Sequence, residues 1–157
     1  MRSILLIDHG SVKAEANHML ACMASLLQRM VGDDVLVRYA HMELAEPSIS
    51  AGFDACVRDG ATEVVAFPYM LSPGKHSTRD IPRMVAEAAA AHPHVAYRVT
   101  EAFGMSPELA VVIARRAGVE LAAPATESDA CRCWEPKGHI GECGAACADR
   151  TTTASAA

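Results

Sequence analysis

Residues 67–82 read FPYMLSPGKHSTRDIP, an apolar run that stops abruptly at a Ser-Pro-Gly turn and leads at once to Lys75 and His76. Residues 4–11, ILLIDHGS, have the same order: a short apolar run, then polar residues that include His9, and then a helical pattern. Short apolar runs bounded by turn signals are typical of strands buried in a parallel sheet. We therefore interpret both stretches as strands that end in a histidine, and the fold decides whether those histidines meet.

Alternating strand and helix patterns extend through the rest of the chain. Helices between successive strands imply crossover connections and a parallel sheet. The predicted strands are residues 4–7, 35–40, 64–71 and 95–99. Two predicted helices cover residues 14–30 and 81–91. A third has Pro47 as its first helical position and stops at Gly60, and a fourth runs from Ser106-Pro107 to about Ala117. The predicted fold class is therefore α/β.

Composition narrows the class of protein and its partners. The 157 residues fit a single domain, and 51% hydrophobic with only 4% aromatic residues favours helices packed closely on a sheet. A net charge of −5 without a basic block argues against a nucleic-acid partner. No apolar run is long enough for a signal-peptide core or a membrane span. We expect a cytoplasmic protein without a membrane partner, whose thiols stay reduced.

The composition changes after residue 121. We predict a folded domain over residues 1–121, followed by a linker, a cysteine-rich segment and a disordered small-polar tail over residues 122–157. The cysteine-rich segment carries four candidate ligands for an iron–sulfur cluster or zinc, with unused thiols or disulfides as alternatives: Cys131, Cys133, Cys143 and Cys147. Cys22 and Cys56 lie at helical positions and are interpreted as core residues, as is the methionine-rich face of residues 14–30.

Three polar side chains are predicted at one edge of the sheet. In an open parallel α/β sheet, ligands bind outside the carboxyl ends of the strands. His9, Glu43 and His76 each follow a different predicted strand, so all three belong to that edge.

Each of these residues also has an ordinary structural interpretation. The histidines can be turn residues or helix caps, and Glu43 a solvated loop acid. Asp8 can orient the His9 imidazole or simply begin the turn. Ser72, Gly74 and Lys75 can form an anion cradle or an ordinary tight loop.

The order and spacing of three segments resemble a known family. ILLIDHGS, HMELAEPSI about thirty residues later, and VVAFPYMLSPGKHSTRDIP resemble the small class II tetrapyrrole chelatases, the sirohydrochlorin chelatases of cobalamin, siroheme and nickel-tetrapyrrole synthesis. The resemblance covers about residues 1–120. It implies a three-layer, flavodoxin-like domain with a four-stranded parallel sheet flanked by helices, paired as a homodimer.

The resemblance also implies roles for site residues. Histidines matching His9 and His76 bind the incoming divalent metal, and a glutamate matching Glu43 assists beside the macrocycle. The chain departs from the family at residues 104–107, GMSP, where many members carry a Gly-x-His-Pro-like segment, so no third histidine ligand is expected.

Metal insertion explains why such residue types are suitable. Two neutral imidazoles bind Fe²⁺, Co²⁺ or Ni²⁺ and leave coordination positions open, so the ion can move on to the tetrapyrrole. Imidazole and Glu43 can accept the two pyrrole protons. Because the protein is acidic, local cations and N–H groups must bind the substrate carboxylates, and apolar side chains must face the macrocycle. The residues assigned to the substrate are Ser11, Met70, Leu71, Ser72, Gly74, Lys75 and Arg79, with Lys13 and Met42 as further candidates.

Two other functions remain open at this point. A metal or tetrapyrrole carrier would keep both histidines but needs no base. A flavodoxin-like module for a phosphorylated ligand would use the same sheet edge, but residues 8–11 offer only one glycine where a glycine-rich fingerprint is expected.

Overall fold

A computed structural model describes residues 1–122, and the predicted cysteine ligands lie outside them. Strands and helices alternate along the whole described chain. The strands are β1 (Arg2–Asp8), β2 (Val35–His41), β3 (Glu63–Pro68) and β4 (Ala96–Val99), and the helices are α1 (Ala14–Val31), α2 (Ile49–Arg58), α3 (Ile81–Ala90) and α4 (Pro107–Ala117). One π-helical turn, His76–Asp80, runs directly into α3.

All four strands are parallel and lie in the order β2-β1-β3-β4. From β1 the chain goes outward to β2, and it then returns to the opposite side of β1 for β3 and β4. Because crossovers between parallel strands are right-handed, this reversal puts α1 on one face of the sheet and α2 and α3 on the other. The point of reversal lies between the carboxyl ends of β1 and β3, where α/β proteins bind their ligands.

Two apolar clusters fill the space between the sheet and its helices. The cluster beneath α2 and α3 includes the fully buried Leu5, Ile7, Phe53, Ile81 and Val85. The cluster beneath α1 is smaller, with Leu6, Leu20, Ala24 and Val37 buried. The prediction of a three-layer, four-stranded parallel α/β fold is therefore confirmed.

Several local predictions were wrong. Pro47 does not begin α2; it precedes the N-cap residue Ser48, and its carbonyl accepts a hydrogen bond from the His41 N–H at 2.8 Å. Residues 69–71 are not part of β3, since Pro68 has no N–H to continue the ladder and the strand ends there. Met42 is only 8% exposed and packs in the core, so it does not face a macrocycle.

The methionine-rich face of α1 is only partly core. Leu20 and Ala24 form the buried stripe, whereas Met19 is 57% and Met30 is 73% exposed. Cys22 is exposed, contrary to its assignment as a core residue. Cys56 is buried as predicted, and burial raises the pKa of its thiol.

The chain divides into two compact units, Met1–Phe103 and Gly104–Ala157. The second unit contains α4, which has the predicted N-cap Ser106, whose hydroxyl accepts from the Glu108 N–H, and a left-handed Gly118 at its end. The predicted boundary near residue 121 stays a prediction. Among the helices described here, none has the length and apolar character that a bilayer crossing requires.

Candidate metal site at the carboxyl edge of the sheet

His9 and His76 meet at the carboxyl edge of the sheet. Their ring centroids are 5.3 Å apart, with an angle of 67° between the ring planes. His9 directly follows β1, and His76 begins the π-helical turn after β3. The two imidazoles thus come together at the point where the strand order reverses, although 67 positions separate them in the chain.

Within the π-helical turn, the carboxylate of Asp80 contacts the imidazole of His76. Nδ1 of His76 lies 3.0 Å from Oδ2 of Asp80, four residues later. The Arg79 guanidinium, 2.9 Å from the same carboxylate, and then the His76 hydrogen bond hold the pKa of Asp80 below its usual range. Because Asp80 is an acceptor, Nδ1 carries the His76 proton and Nε2 is left with its lone pair. Histidine ligands of metals typically have this arrangement.

His9 faces the predicted glutamate. Its Nε2 lies 2.7 Å from Oε1 of Glu43, and both side chains are about half exposed. This distance is that of a hydrogen bond between the imidazole and the carboxylate. Glu43 therefore lies where it can exchange a proton with His9 or balance the charge of an ion beside it.

Backbone contacts lock the loops that carry these two residues. The Met42 N–H donates to Asp8 O at 2.8 Å, and the Glu43 N–H donates to His9 O at 3.1 Å, so the β1–β2 pairing continues past both strands. Gly10, at φ +81°, permits this approach: a Cβ at this position would lie 2.0 Å from Glu43 O. The glycine after His9 is needed for the loops to touch.

Asp8 does not contact the imidazole of His9. Its Oδ1 accepts the Gly10 N–H at 2.9 Å and lies 2.5 Å from Nδ1 of His41. Of the two roles left open for Asp8, the structure shows the turn. The His9 ring instead has its Nδ1 3.3 Å from Gly10 O.

Two N–H groups predicted to bind substrate carboxylates are already engaged. The Ser11 N–H donates to Asn17 Oδ1 at 2.8 Å, and the Gly74 N–H donates to Ser77 Oγ at 3.0 Å. The anion cradle is therefore not formed by these groups, because local folding satisfies them.

The other rim residues stay accessible. Leu71 is 69% exposed and Met70 is partly buried against the core. Lys75 and Ser72 are exposed, and Arg79 is exposed while bonded to Asp80. The apolar and cationic side chains beside His76 can thus reach a ligand.

A cavity of about 780 Å³ lies between the start of α1 and the loop after β2. Its wall includes Ser11, Asn17, His41 and Glu46, but neither His9 nor His76. Cavities of this size hold small organic ligands. The histidine pair is therefore not part of the wall of this cavity.

Two residues that support the site, Asp80 and His41, were not predicted from the sequence. The HSTRD spacing of Asp80 four residues after His76 was a usable signal, since such residues share one helix face. His41 gave none, because a histidine at the end of a strand has no pattern of its own. Within residues 1–122, no group of three or more His, Cys, Asp or Glu side chains could hold a metal ion.

A family model named CbiX matches residues 3–119. The chain is 42% identical over 101 residues to the chloroplastic sirohydrochlorin ferrochelatase of Arabidopsis thaliana, a match that covers 64% of this chain and 44% of the relative. It is 32% identical over 131 residues to the sirohydrochlorin cobaltochelatase of Priestia megaterium, covering 82% of this chain and 42% of the relative. The chain thus spans less than half the length of these relatives.

A solved structure shares the fold. The sirohydrochlorin chelatase SirB of Bacillus subtilis subspecies spizizenii, in complex with cobalt, superposes with a TM-score of 0.69 at 29% identity. The match covers 74% of this chain and 50% of SirB.

Proposed function

The chain belongs to the CbiX family, and on that premise we propose that it is a sirohydrochlorin chelatase, an enzyme that inserts a divalent metal ion into a tetrapyrrole. The metal is Co²⁺ or Fe²⁺, with Ni²⁺ as a further candidate. The observation that carries the proposal is the meeting of His9 and His76, 5.3 Å apart, at the reversal point of the sheet. The relatives named for cobalt and iron insertion support it.

The histidine pair suits an ion that must leave again. Two imidazoles bind the ion through Nε2 of His9 and Nε2 of His76, the latter freed by the bond from Nδ1 to Asp80. The remaining positions stay open to water and pyrrole nitrogens. A site closed by four protein ligands would hold the ion instead of passing it on.

Insertion releases two pyrrole protons, and the site offers two acceptors. Glu43 takes one proton, and an imidazole that has given up the ion takes the other. The 2.7 Å between Glu43 Oε1 and His9 Nε2 lets the two groups share protons while the ion moves. Both face solvent, so the protons can leave to bulk water.

The tetrapyrrole lies against the rim beside His76. Leu71 and Met70 contact its apolar body, and Lys75 and Arg79 bind its carboxylates, with Ser72 and Gly74 in the same loop. Ser11 belongs to this surface through its side chain or carbonyl, because its N–H is bonded to Asn17. These assignments rest on exposure and charge.

Two further features belong to the proposal. The chain forms a homodimer through the apolar groove of about 410 Å³ that includes Leu26, Met30, Phe67 and Tyr69; sedimentation of a monomer at micromolar concentration would contradict this.

The cysteine segment, outside the described residues, binds an iron–sulfur cluster or zinc. Equal iron and zinc contents in the chain and in a variant with four cysteine-to-serine changes would contradict that role. The cytoplasm stays our expectation for its location.

Anaerobic incubation with sirohydrochlorin and each metal ion, followed by the absorbance of the macrocycle, tests the function. We expect His9→Ala and His76→Ala to lower the insertion rate by more than about 100-fold, because residues behind a metal ligand already contribute 10- to 100-fold. His94→Ala is the matched control, since His94 is exposed and precedes β4. Wild-type rates in both site variants would contradict the assignment.

Glu43→Gln in the same assay separates an enzyme from a carrier. Gln keeps the size of the side chain but cannot accept a proton, so we expect insertion to slow by about 100-fold while Co²⁺ binding persists. A carrier would deliver its cargo at an unchanged rate.

A further inference from the structure

His41 is a buried histidine with one specific polar contact. The side chain is 1% exposed, and its Nδ1 lies 2.5 Å from Oδ1 of Asp8. The two residues are direct partners in the β1–β2 register, so the pair links the last residues of both strands. Since Asp8 is the acceptor, Nδ1 of His41 donates.

The other ring nitrogen does not explain why a histidine stands here. Nε2 of His41 is buried and has no hydrogen-bond partner among residues 1–122. Leaving a buried polar atom unpaired costs stability, and an apolar side chain of similar size would avoid that cost. The hydrogen bond from Nδ1 to Asp8 is therefore the contact that explains a histidine at this position.

Asp8 transmits this contact to the loop that carries His9. The Oδ1 atom that faces His41 also accepts the Gly10 N–H at 2.9 Å, so the carboxylate closes a turn across His9. An Asp side chain that bonds the N–H two residues later fixes the backbone between them. The direction of the His9 side chain thus depends on the rotamer of Asp8.

We propose that His41 is a positioning residue for the metal-binding His9. The buried imidazole holds the Asp8 carboxylate in one rotamer, the carboxylate holds the turn, and the turn aims Nε2 of His9 at the ion shared with His76. The inference rests on the proposed function, since it needs His9 to bind the metal.

Three substitutions of His41 distinguish the effect of the Nδ1 hydrogen bond from the effect of the size of the ring. His41→Asn places an amide N–H near the Nδ1 position and keeps the bond to Asp8. His41→Gln places its amide near the Nε2 position, and His41→Leu has no donor at all. We expect Gln and Leu to raise KM for Co²⁺, and the Co²⁺ dissociation constant without tetrapyrrole, by about tenfold. We expect Asn to keep wild-type values, and KM for sirohydrochlorin to stay constant throughout.

A second His–Asp pair provides the matched control. Nε2 of His92, which follows the end of α3, lies 2.6 Å from Oδ1 of Asp54 on α2. His92→Leu removes a similar bond, so it should lower the thermal midpoint and leave both Co²⁺ constants unchanged. A purely structural role for His41 would make His41→Leu behave in the same way.

The outcomes are distinct. Wild-type Co²⁺ constants in His41→Leu or His41→Gln, or an equal rise in His41→Asn, overturn the inference. If the His41 variants do not fold, Asp8→Ala keeps the buried ring but removes the oxygen that bonds both His41 and the Gly10 N–H, with the same rise expected and unchanged Co²⁺ constants overturning the inference. Failure of the wild-type protein to insert any metal would overturn the proposed function, whereas the Co²⁺ dissociation constants would still decide the role of His41.

Discussion

At the scale of single residues, the Asp80 carboxylate determines which nitrogen of His76 stays free for the proposed metal ion. We expect Asp80→Asn to raise KM for the metal about 10- to 100-fold, because the amide no longer provides a charged acceptor for Nδ1–H. Glu87→Gln is the control, since Glu87 pairs with Arg83 at the same i, i+4 spacing on an exposed face. Steady-state kinetics with varied Co²⁺ measures both, and an equal KM in the two variants would contradict this role.

The three candidate site residues at the sheet edge could be predicted from the sequence. The residues that hold those side chains in position could not. His9, Glu43 and His76 follow three strands, and parallel strands bring their carboxyl ends to one edge. His41 has a partner 33 positions away, which only the register of β1 against β2 reveals. The N–H groups of Ser11 and Gly74 failed as predicted anion donors for a similar reason, since neighbouring side chains satisfy them first.

At the scale of elements, Gly10 sets how closely the loops after β1 and β2 approach. An alanine at position 10 would have to adopt a positive φ, and its Cβ would clash with Glu43 O. Gly10→Ala must therefore move Glu43 away from His9. Gly60→Ala is the control, because Gly60 has φ +95° with no atom within 4 Å of a built Cβ.

We expect Gly60→Ala to cost about 1–2 kcal/mol of unfolding free energy and to keep its activity. Gly10→Ala should cost more and also lose insertion activity under conditions where it is folded. Urea denaturation and the insertion assay measure the two effects. A Gly10→Ala protein with normal activity would show that the contact between these loops is dispensable.

The ends of a helix could be predicted from the sequence where the conformation of neighbouring residues determines them. Ser106-Pro107 and Gly118 bound α4 as predicted, because a hydroxyl cap, a fixed φ and a left-handed glycine act locally. At Pro47 the same reasoning failed, since its carbonyl accepts a hydrogen bond from the N–H of His41 at the end of β2, and this loop contact leaves no signal in the sequence. The exposure of Met19 and Met30 also depended on how much of α1 the sheet covers, which periodicity does not report.

At the scale of the whole molecule, the strand order β2-β1-β3-β4 makes the site. β1 and β3 are neighbours only because the chain reverses direction after β2, and that reversal puts His9 beside His76. Alternating strands and helices predicted the sheet but did not by themselves give the order of its strands. The family resemblance supplied the expectation that the two histidines share one ion.

The number of imidazoles bound to one ion tests this claim most directly. X-ray absorption at the cobalt edge, on protein loaded with Co²⁺ in the absence of tetrapyrrole, counts the histidine ligands. We predict two imidazoles in the wild-type protein and in His94→Ala, and one in each of His9→Ala and His76→Ala. An unchanged imidazole count in either site variant would show that the ion is not held between these two rings.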